Sequence, residues 1–261
     1  AARHDIPVIT PSDPNAPEIV ERVKAARPDF LFSFYYRHML KKELLAIPPR
    51  GAFNMHGSLL PKYRGRVPVN WAIIHGETET GATLHAMNEK PDNGGIVDQQ
   101  AVPILPDDTA LEVFHKVTCA AEIALDRCLP GLIAGAAKLT PQELKQGGYF
   151  GGRRPEDGKI RWEESAQSVH NLVRAVAPPY PGAFTRLGGR PMRILRTMLE
   201  PGRAARARIP AFYCENGRCY AECGDGGVLR VLEFELEGRP TAAQEFFAQY
   251  GTGPVPFDSD F

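Results

Sequence analysis

No apolar stretch in this chain approaches the ~20 residues needed to span a bilayer, and no signal-peptide pattern opens it. Membrane insertion is therefore not expected, and the cytoplasm is the expected compartment. Neither sign of charge is in excess: 31 Lys and Arg balance 31 Asp and Glu. A neutral chain lacks the basic footprint of nucleic-acid binders, so no nucleic-acid partner is expected. Walker A, G-x-G-x-x-G and H-E-x-x-H are all missing. Apart from His56, the histidines (His4, His38, His75, His85, His115 and His170) are scattered without ligand spacing, and no metal is expected. Cysteine is sparse and odd in number: Cys119, Cys128, Cys214, Cys219 and Cys223. The spacing of the last three fits no zinc pattern, and reduced structural thiols are expected. What remains is an ordinary globular composition, 43% hydrophobic and 24% charged, long enough for one large domain or two smaller ones.

The most informative stretch is Asn54-Met55-His56-Gly57-Ser58-Leu59-Leu60-Pro61, followed by Lys62-Tyr63-Arg64-Gly65. In a strand, residues i and i+2 share a face, so Asn54 and His56 can meet one reacting group. The Ser-Leu-Leu-Pro turn then stops the strand. An amide donor suits a developing oxyanion, and an imidazole suits proton transfer near neutral pH. Asp92, in Lys90-Pro91-Asp92-Asn93-Gly94-Gly95, is the third polar candidate, on a Gly-rich loop. Taken alone, an N-x-H in a strand is more often a satisfied polar pair. The whole string, N-x-H-x-S-x-L-P with Y-R-G and the later D-x-G-x-I, carries the functional reading.

Periodicity predicts helices over 18–27, 41–46, 69–75, from a cap at Asp108 or Thr109 to about 133, and over 165–177. Strands are expected over 6–9, 29–35 (buried), 53–56, 81–87 and 95–104. Helices alternating with strands indicate an α/β sheet. Residues 138–160 are rich in Gly, Pro and charge and read as a linker. Beyond 183 the chain reads as short strands, with turns at Asn216-Gly217 and Asp225-Gly226-Gly227 and a strand over 228–236. A small β-barrel is expected there, ending in a flexible tail over 251–261.

These strings resemble the 10-formyltetrahydrofolate-dependent formyltransferases. The likeness covers nearly the whole chain and is strongest to those acting on UDP-4-amino-4-deoxy-L-arabinose in lipid A modification, an activity tied to polymyxin resistance. Further strings that carry it are Phe32-Ser33-Phe34-Tyr35-Tyr36-Arg37, Asn70-Trp71, Gly76-Glu77-Thr78-Glu79-Thr80-Gly81, Gly152-Arg153-Arg154-Pro155 and Pro181-Gly182-Ala183-Phe184. The resemblance implies a Rossmann-like catalytic domain over 1–145, then a linker helix and an OB-like domain over 146–261. It also implies that an opening strand, helix and second strand are absent here, so the numbering is expected to begin inside a longer protein.

The same resemblance implies a catalytic trio of Asn54, His56 and Asp92, with 10-formyltetrahydrofolate as co-substrate and a nucleotide-linked amino sugar as acceptor. Met39 and Leu40, mainly through backbone, and Pro91 are expected beside the folate. Tyr35, Arg66 and Asn70 are expected toward the nucleotide-sugar, although a solvated Arg66 and an aromatic core role for Tyr35 read as plausibly from the residues. Asn54 is assigned to the oxyanion. His56 either stabilises the same oxygen when charged or carries a proton to the folate nitrogen; Asp92 orients His56, raises its pKa, or accepts the amine proton. Methionyl-tRNA formyltransferases are the alternative, along with enzymes for dTDP-linked 4-amino-dideoxyhexoses. The former usually differ at the positions of Arg66 and Asn70-Trp71.

Overall fold

The computed structural model describes residues 2–259. Its helices are α1 (Pro17–Ala26), α2 (Lys42–Leu45), α3 (Pro68–Ile74), α4 (Ala110–Ala134), α5 (Ala166–Val176) and α6 (Ala243–Tyr250). In the first half the strands are β1 (Leu31–Phe34), β2 (Ala52–His56), β4 (Glu79–Ala86) and β5 (Ile96–Pro103), with two-residue strands β3 (Arg64–Gly65) and β6 (Tyr149–Phe150). The second half holds β7 (Ala183–Leu187), β8 (Arg190–Leu199), β9 (Ala211–Glu215), β10 (Arg218–Glu222), β11 (Val228–Leu236), β12 (Arg239–Pro240) and β13 (Val255–Pro256). Two compact units result. One comprises Ala1–Gly65, Gly81–Gln100 and Ala120–Tyr149; the other comprises Arg66–Thr80, Ala101–Cys119 and Phe150–Phe261.

The first unit is built on a four-stranded sheet of order β1-β2-β4-β5. β1 runs parallel to β2, pairing Ser33 with Asn54 and Phe34 with Met55. β4 runs antiparallel to β2, pairing Asn54 with His85 and His56 with Thr83. The helix starts follow local chemistry. Pro17 and Pro68 sit in the first turns of α1 and α3, where a missing N–H costs nothing. α4 opens on a capping box: Thr109 N–H donates to Glu112 Oε2 at 2.7 Å, and Glu112 N–H donates back to Thr109 Oγ1 at 3.4 Å. α1 ends at Arg27, which takes the left-handed conformation (φ 47°) just before Pro28.

Two expectations fail in this unit. Residues 6–9 form no strand; Ile6 and Val8 are 58% and 67% exposed, and Pro7 brings no N–H to a ladder. β1 is shorter than 29–35 and only half-buried, with Phe34 49% exposed.

The second unit carries an antiparallel sheet of order β13-β9-β10-β11-β8-β7, with β12 on β11. The sheet curls: Leu187 at the end of β7 bridges Phe257, just past β13. This curled sheet, with α5 packed on it, is the OB-like domain expected from the sequence. Its interior is lined by Val169, Val173, Leu187, Ile194, Phe212, Leu229, Phe234 and Phe246, each large side chain worth roughly 1.5–3 kcal/mol when fully buried. Asn216 and Gly217 both have positive φ, the requirement of a two-residue hairpin turn whose twist matches its strands.

That hairpin corrects the cysteine expectation. Counting outward from the turn pairs Glu215 with Arg218 and Cys214 with Cys219. The two cysteines stand directly opposite, with Cα atoms 4.1 Å apart, and form a disulfide. Cys119, Cys128 and Cys223 are free thiols. The tail is also corrected. Residues 255–256 pair with β9, and Phe257 stacks on Trp162 with ring centroids 3.7 Å apart and planes within 4°. Asp258 then accepts hydrogen bonds from Gly188 and Gly189 N–H, each 2.9 Å. Residues 260 and 261 lie outside those described.

Candidate active site

β2 ends in the first unit with Asn54 and His56 pointing to one face, as the two-residue period requires. The turn that follows is pinned from β4 and β5. Thr83 Oγ1 donates to Ser58 O (2.6 Å) and accepts from Leu60 N–H (3.1 Å), and Gln99 Nε2 donates to Leu60 O (2.8 Å). The chain therefore doubles back so that Tyr63 O meets His56 Nε2 at 2.8 Å. A carbonyl only accepts, so His56 Nε2 carries the hydrogen and Nδ1 the lone pair.

Asp92 arrives from the β4–β5 loop. It adopts φ 53°, a left-handed conformation that Asp and Asn tolerate better than most residues. The loop folds tightly onto the end of β4: a Cβ on Gly94 would stand 1.7 Å from Ala86 O, so only glycine fits. Gln142 Nε2 donates to Asp92 O (2.9 Å) and Gly94 O (2.7 Å), and Arg64 donates to Asn93 Oδ1 (2.8 Å). These braces aim the carboxylate. Its Oδ2 accepts the Gly65 N–H at 2.8 Å. Its Oδ1 lies 3.6 Å from His56 Nδ1 and 3.4 Å from His85 Nε2.

His85 is a member of the cluster that local sequence reading passes over. It is 1% exposed, donates from Nδ1 to Ala86 O at 2.9 Å, and places Nε2 3.2 Å from Asn54 Nδ2. The signal for it is the β2–β4 register, which sets it directly opposite Asn54.

Burial pulls the His56 imidazole below the usual histidine range, overcoming the Asp92 carboxylate and the Tyr63 carbonyl, which pull the other way; nearby His85 adds to the lowering. Burial pushes the Asp92 carboxyl upward. The neighbouring His85 and His56 rings and the Gly65 N–H outweigh it, so Asp92 stays below the ordinary carboxylate range. At neutral pH the pair is a neutral imidazole and an ionised carboxylate, with an amide donor beside them. Such a set can steady a developing oxyanion and take up a proton.

The other expected site residues divide. Pro91 adjoins Asp92 in the loop. Tyr35, 40% exposed, follows the end of β1. Because β1 is parallel to β2 and pairs Phe34 with Met55, Tyr35 and His56 leave the sheet at the same edge. The Met39–Leu40 segment is clamped by Asn15, whose amide donates to Met39 O (3.0 Å) and accepts from Lys41 N–H (2.7 Å). Arg66 and Asn70 fall in the second unit. Arg66 is exposed, its guanidinium against Gly152. Asn70 is 3% exposed, and its amide donates to Ala175 O at 2.7 Å, tying α3 to α5. Among the described residues no group of three or more His, Cys, Asp or Glu side chains is placed to hold a metal ion, and no helix is long and apolar enough to cross a membrane.

Residues 3–129 match the formyl transferase family and residues 153–251 match the formyl transferase C-terminal domain. Together these matches span most of the chain, which belongs to the formyl transferase family. Solved structures agree on the fold. The N-formyltransferase from Helicobacter canadensis, in complex with folinic acid and dTDP-3-aminofucose, is 23% identical with a TM-score of 0.64, over 77% of this chain and 72% of that one. HypX from Aquifex aeolicus, in complex with tetrahydrofolic acid, is 18% identical with a TM-score of 0.66, over 88% of this chain and 40% of that one. A methionyl-tRNA formyltransferase from Clostridium thermocellum is 22% identical with a TM-score of 0.60, over 75% and 82%.

Proposed function

We propose that this protein transfers a formyl group from 10-formyltetrahydrofolate to the amine of a nucleotide-linked amino sugar. The observation that carries the reading is the convergence of Asn54, His56 and Asp92 at the end of β2, in a chain of the formyl transferase family. Within this reading Asn54 Nδ2 donates to the oxygen of the formyl group as the acceptor amine attacks its carbon. A neutral His56, Nδ1 lone pair toward Asp92, and the Asp92 carboxylate take the proton the amine must lose. As the new C–N bond forms, the bond to the folate nitrogen breaks, and that nitrogen recovers a proton from the same groups. The donor lies beside Pro91 and the clamped Met39–Leu40 backbone. Tyr35 and Arg66 serve the acceptor. Asn70 acts one step back, by holding α3.

The finer proposal is UDP-4-amino-4-deoxy-L-arabinose, supported by the Lys62–Arg66 and Asn70-Trp71 strings. A dTDP-linked amino sugar is the second reading, favoured by the dTDP-3-aminofucose bound to the Helicobacter canadensis protein. Methionyl-tRNA is the third, favoured by the Clostridium thermocellum structure. Incubation with 10-formyltetrahydrofolate and each acceptor in turn, read by mass spectrometry for the added formyl group, tests all three. A formylated UDP-sugar is the expected product. Formylation of methionyl-tRNA alone would overturn the sugar reading, and no transfer to any amine would overturn the whole.

A further inference from the structure

Two backbone carbonyls decide where the ring hydrogens beside Asp92 lie. His56 Nε2 and His85 Nδ1 each face a backbone carbonyl, Tyr63 O at 2.8 Å and Ala86 O at 2.9 Å. Carbonyls only accept, so both hydrogens of two neutral rings are used there. The other nitrogens, His56 Nδ1 and His85 Nε2, both face Asp92 Oδ1, at 3.6 and 3.4 Å. Neither ring nitrogen therefore brings a hydrogen to Asp92, and His85 Nε2 is free to accept one from elsewhere. Asp92 Oδ2 is already occupied by the Gly65 N–H.

The same tautomer has a second consequence. With its hydrogen on Nδ1, His85 can only accept at Nε2, and Asn54 Nδ2 lies 3.2 Å away. The amide must then present nitrogen, not oxygen, to the ring, leaving its second N–H for the reacting group. We propose that His85 is a positioning residue: its ring, with hydrogen on Nδ1 held by Ala86 O, accepts from the Asn54 amide at Nε2 and so fixes the direction of the oxyanion donor. The titratable groups facing His85 are Asp92 and His56, and Asn54 is the polar neighbour across the strand pair.

This inference rests on the formyl-transfer reading, but part of its test does not. Nitrogen-15 spectra of the imidazoles in the ligand-free protein at neutral pH report the tautomer directly. His85 is expected with hydrogen on Nδ1 and none on Nε2; an imidazolium, or hydrogen on Nε2, would overturn the proposal whatever the substrate is. The kinetic arm compares H85Q with H85L. A Gln carbonyl at the Nε2 position still accepts from Asn54 but does not titrate, whereas Leu does neither. H85L is expected to lose about 10²-fold or more in kcat, the cost of one lost oxyanion donor, with KM for both substrates little changed. H85Q is expected to keep most of the kcat that H85L loses. Equal losses in the two variants would refute the proposal. Should Leu at this buried position prevent folding, the spectra and the kcat of H85Q still decide the question. Failure of formyl transfer itself would show as wild-type inactivity, with the tautomer result standing separately.

Discussion

Asp92→Asn separates chemistry from backbone at the candidate active site. Asp92 holds φ 53°, where Ala costs roughly 1–2 kcal/mol more than Asn or Gly. An alanine would also leave the half-buried Gly65 N–H without its acceptor, a loss of about 1–3 kcal/mol. A Asp92→Ala variant therefore confuses lost activity with a disturbed loop. Asparagine keeps the left-handed turn, and its Oδ1 can accept the Gly65 N–H that Asp92 Oδ2 accepts at 2.8 Å. Its amide then turns a hydrogen toward the lone pair of His56 Nδ1, which the carboxylate cannot satisfy. Replacing a charged acceptor by a neutral one costs about 1 kcal/mol, so the melting temperature should barely move. The proton sink is gone, however, and positioned acid–base groups are typically worth about 10²–10⁴-fold. Turnover should fall by that factor at every pH, followed by release of tetrahydrofolate or by mass of the formylated product. Turnover within about tenfold of wild type, in a folded Asp92→Asn protein, would remove Asp92 from the proton path and leave it a loop-bracing residue.

Asn54→Ala should lower kcat by about 10²–10³-fold, or ~2.7–4 kcal/mol, with KM nearly unchanged; a parallel rise in KM without loss of kcat would make it a binding residue instead. Phe257→Ala removes a ring stacked on Trp162 and 8% exposed. It should cost about 3–5 kcal/mol, or roughly 6–20 °C at ~2–4 °C per kcal/mol, read by Trp emission on heating; a negligible shift would return the tail to a loose extension. His56 and His170 are both held by burial below the usual histidine range. As pH falls through about 6.5, the unfolded chain takes up protons that the folded chain refuses, so stability should drop on acidification and recover above that range. Thermal midpoints that stay level or rise on acidification would contradict this sign.

Much of the fold is legible where structure is decided locally. The cap at Thr109, the proline opening α3 and the Asn216-Gly217 turn act within a few residues, and the elements they begin or join form. Distant partners decide the rest. Ile6 to Ile9 has the β-branched content of a strand, but a strand needs a neighbour to bond, and this segment has none of its own. Val255 to Phe257 reads as a Pro-rich tail until β9 and Trp162 are brought alongside. The disulfide lies between these cases. Once the Asn-Gly turn is accepted, antiparallel counting places Cys214 opposite Cys219, and only the habit of reading odd cysteines as free thiols hides it.

The candidate site divides along the same line. Asn54 and His56 are related by the two-residue strand period, a local rule, and that is why they are visible in sequence. Their roles are not local. Tyr63 O decides which His56 nitrogen carries hydrogen, and the turn pinned by Thr83 and Gln99 delivers that carbonyl. Ala86 O decides the tautomer of His85, and the β2–β4 register decides that Asn54 is its neighbour. Gly94 is required because the loop bearing Asp92 must touch the end of β4. A motif therefore names the groups that can do the chemistry, while backbone carbonyls from turns and register settle which atom of each group is free to do it. Asn, His and Asp at the right spacing on a sheet with another register would present the same residues with different protons.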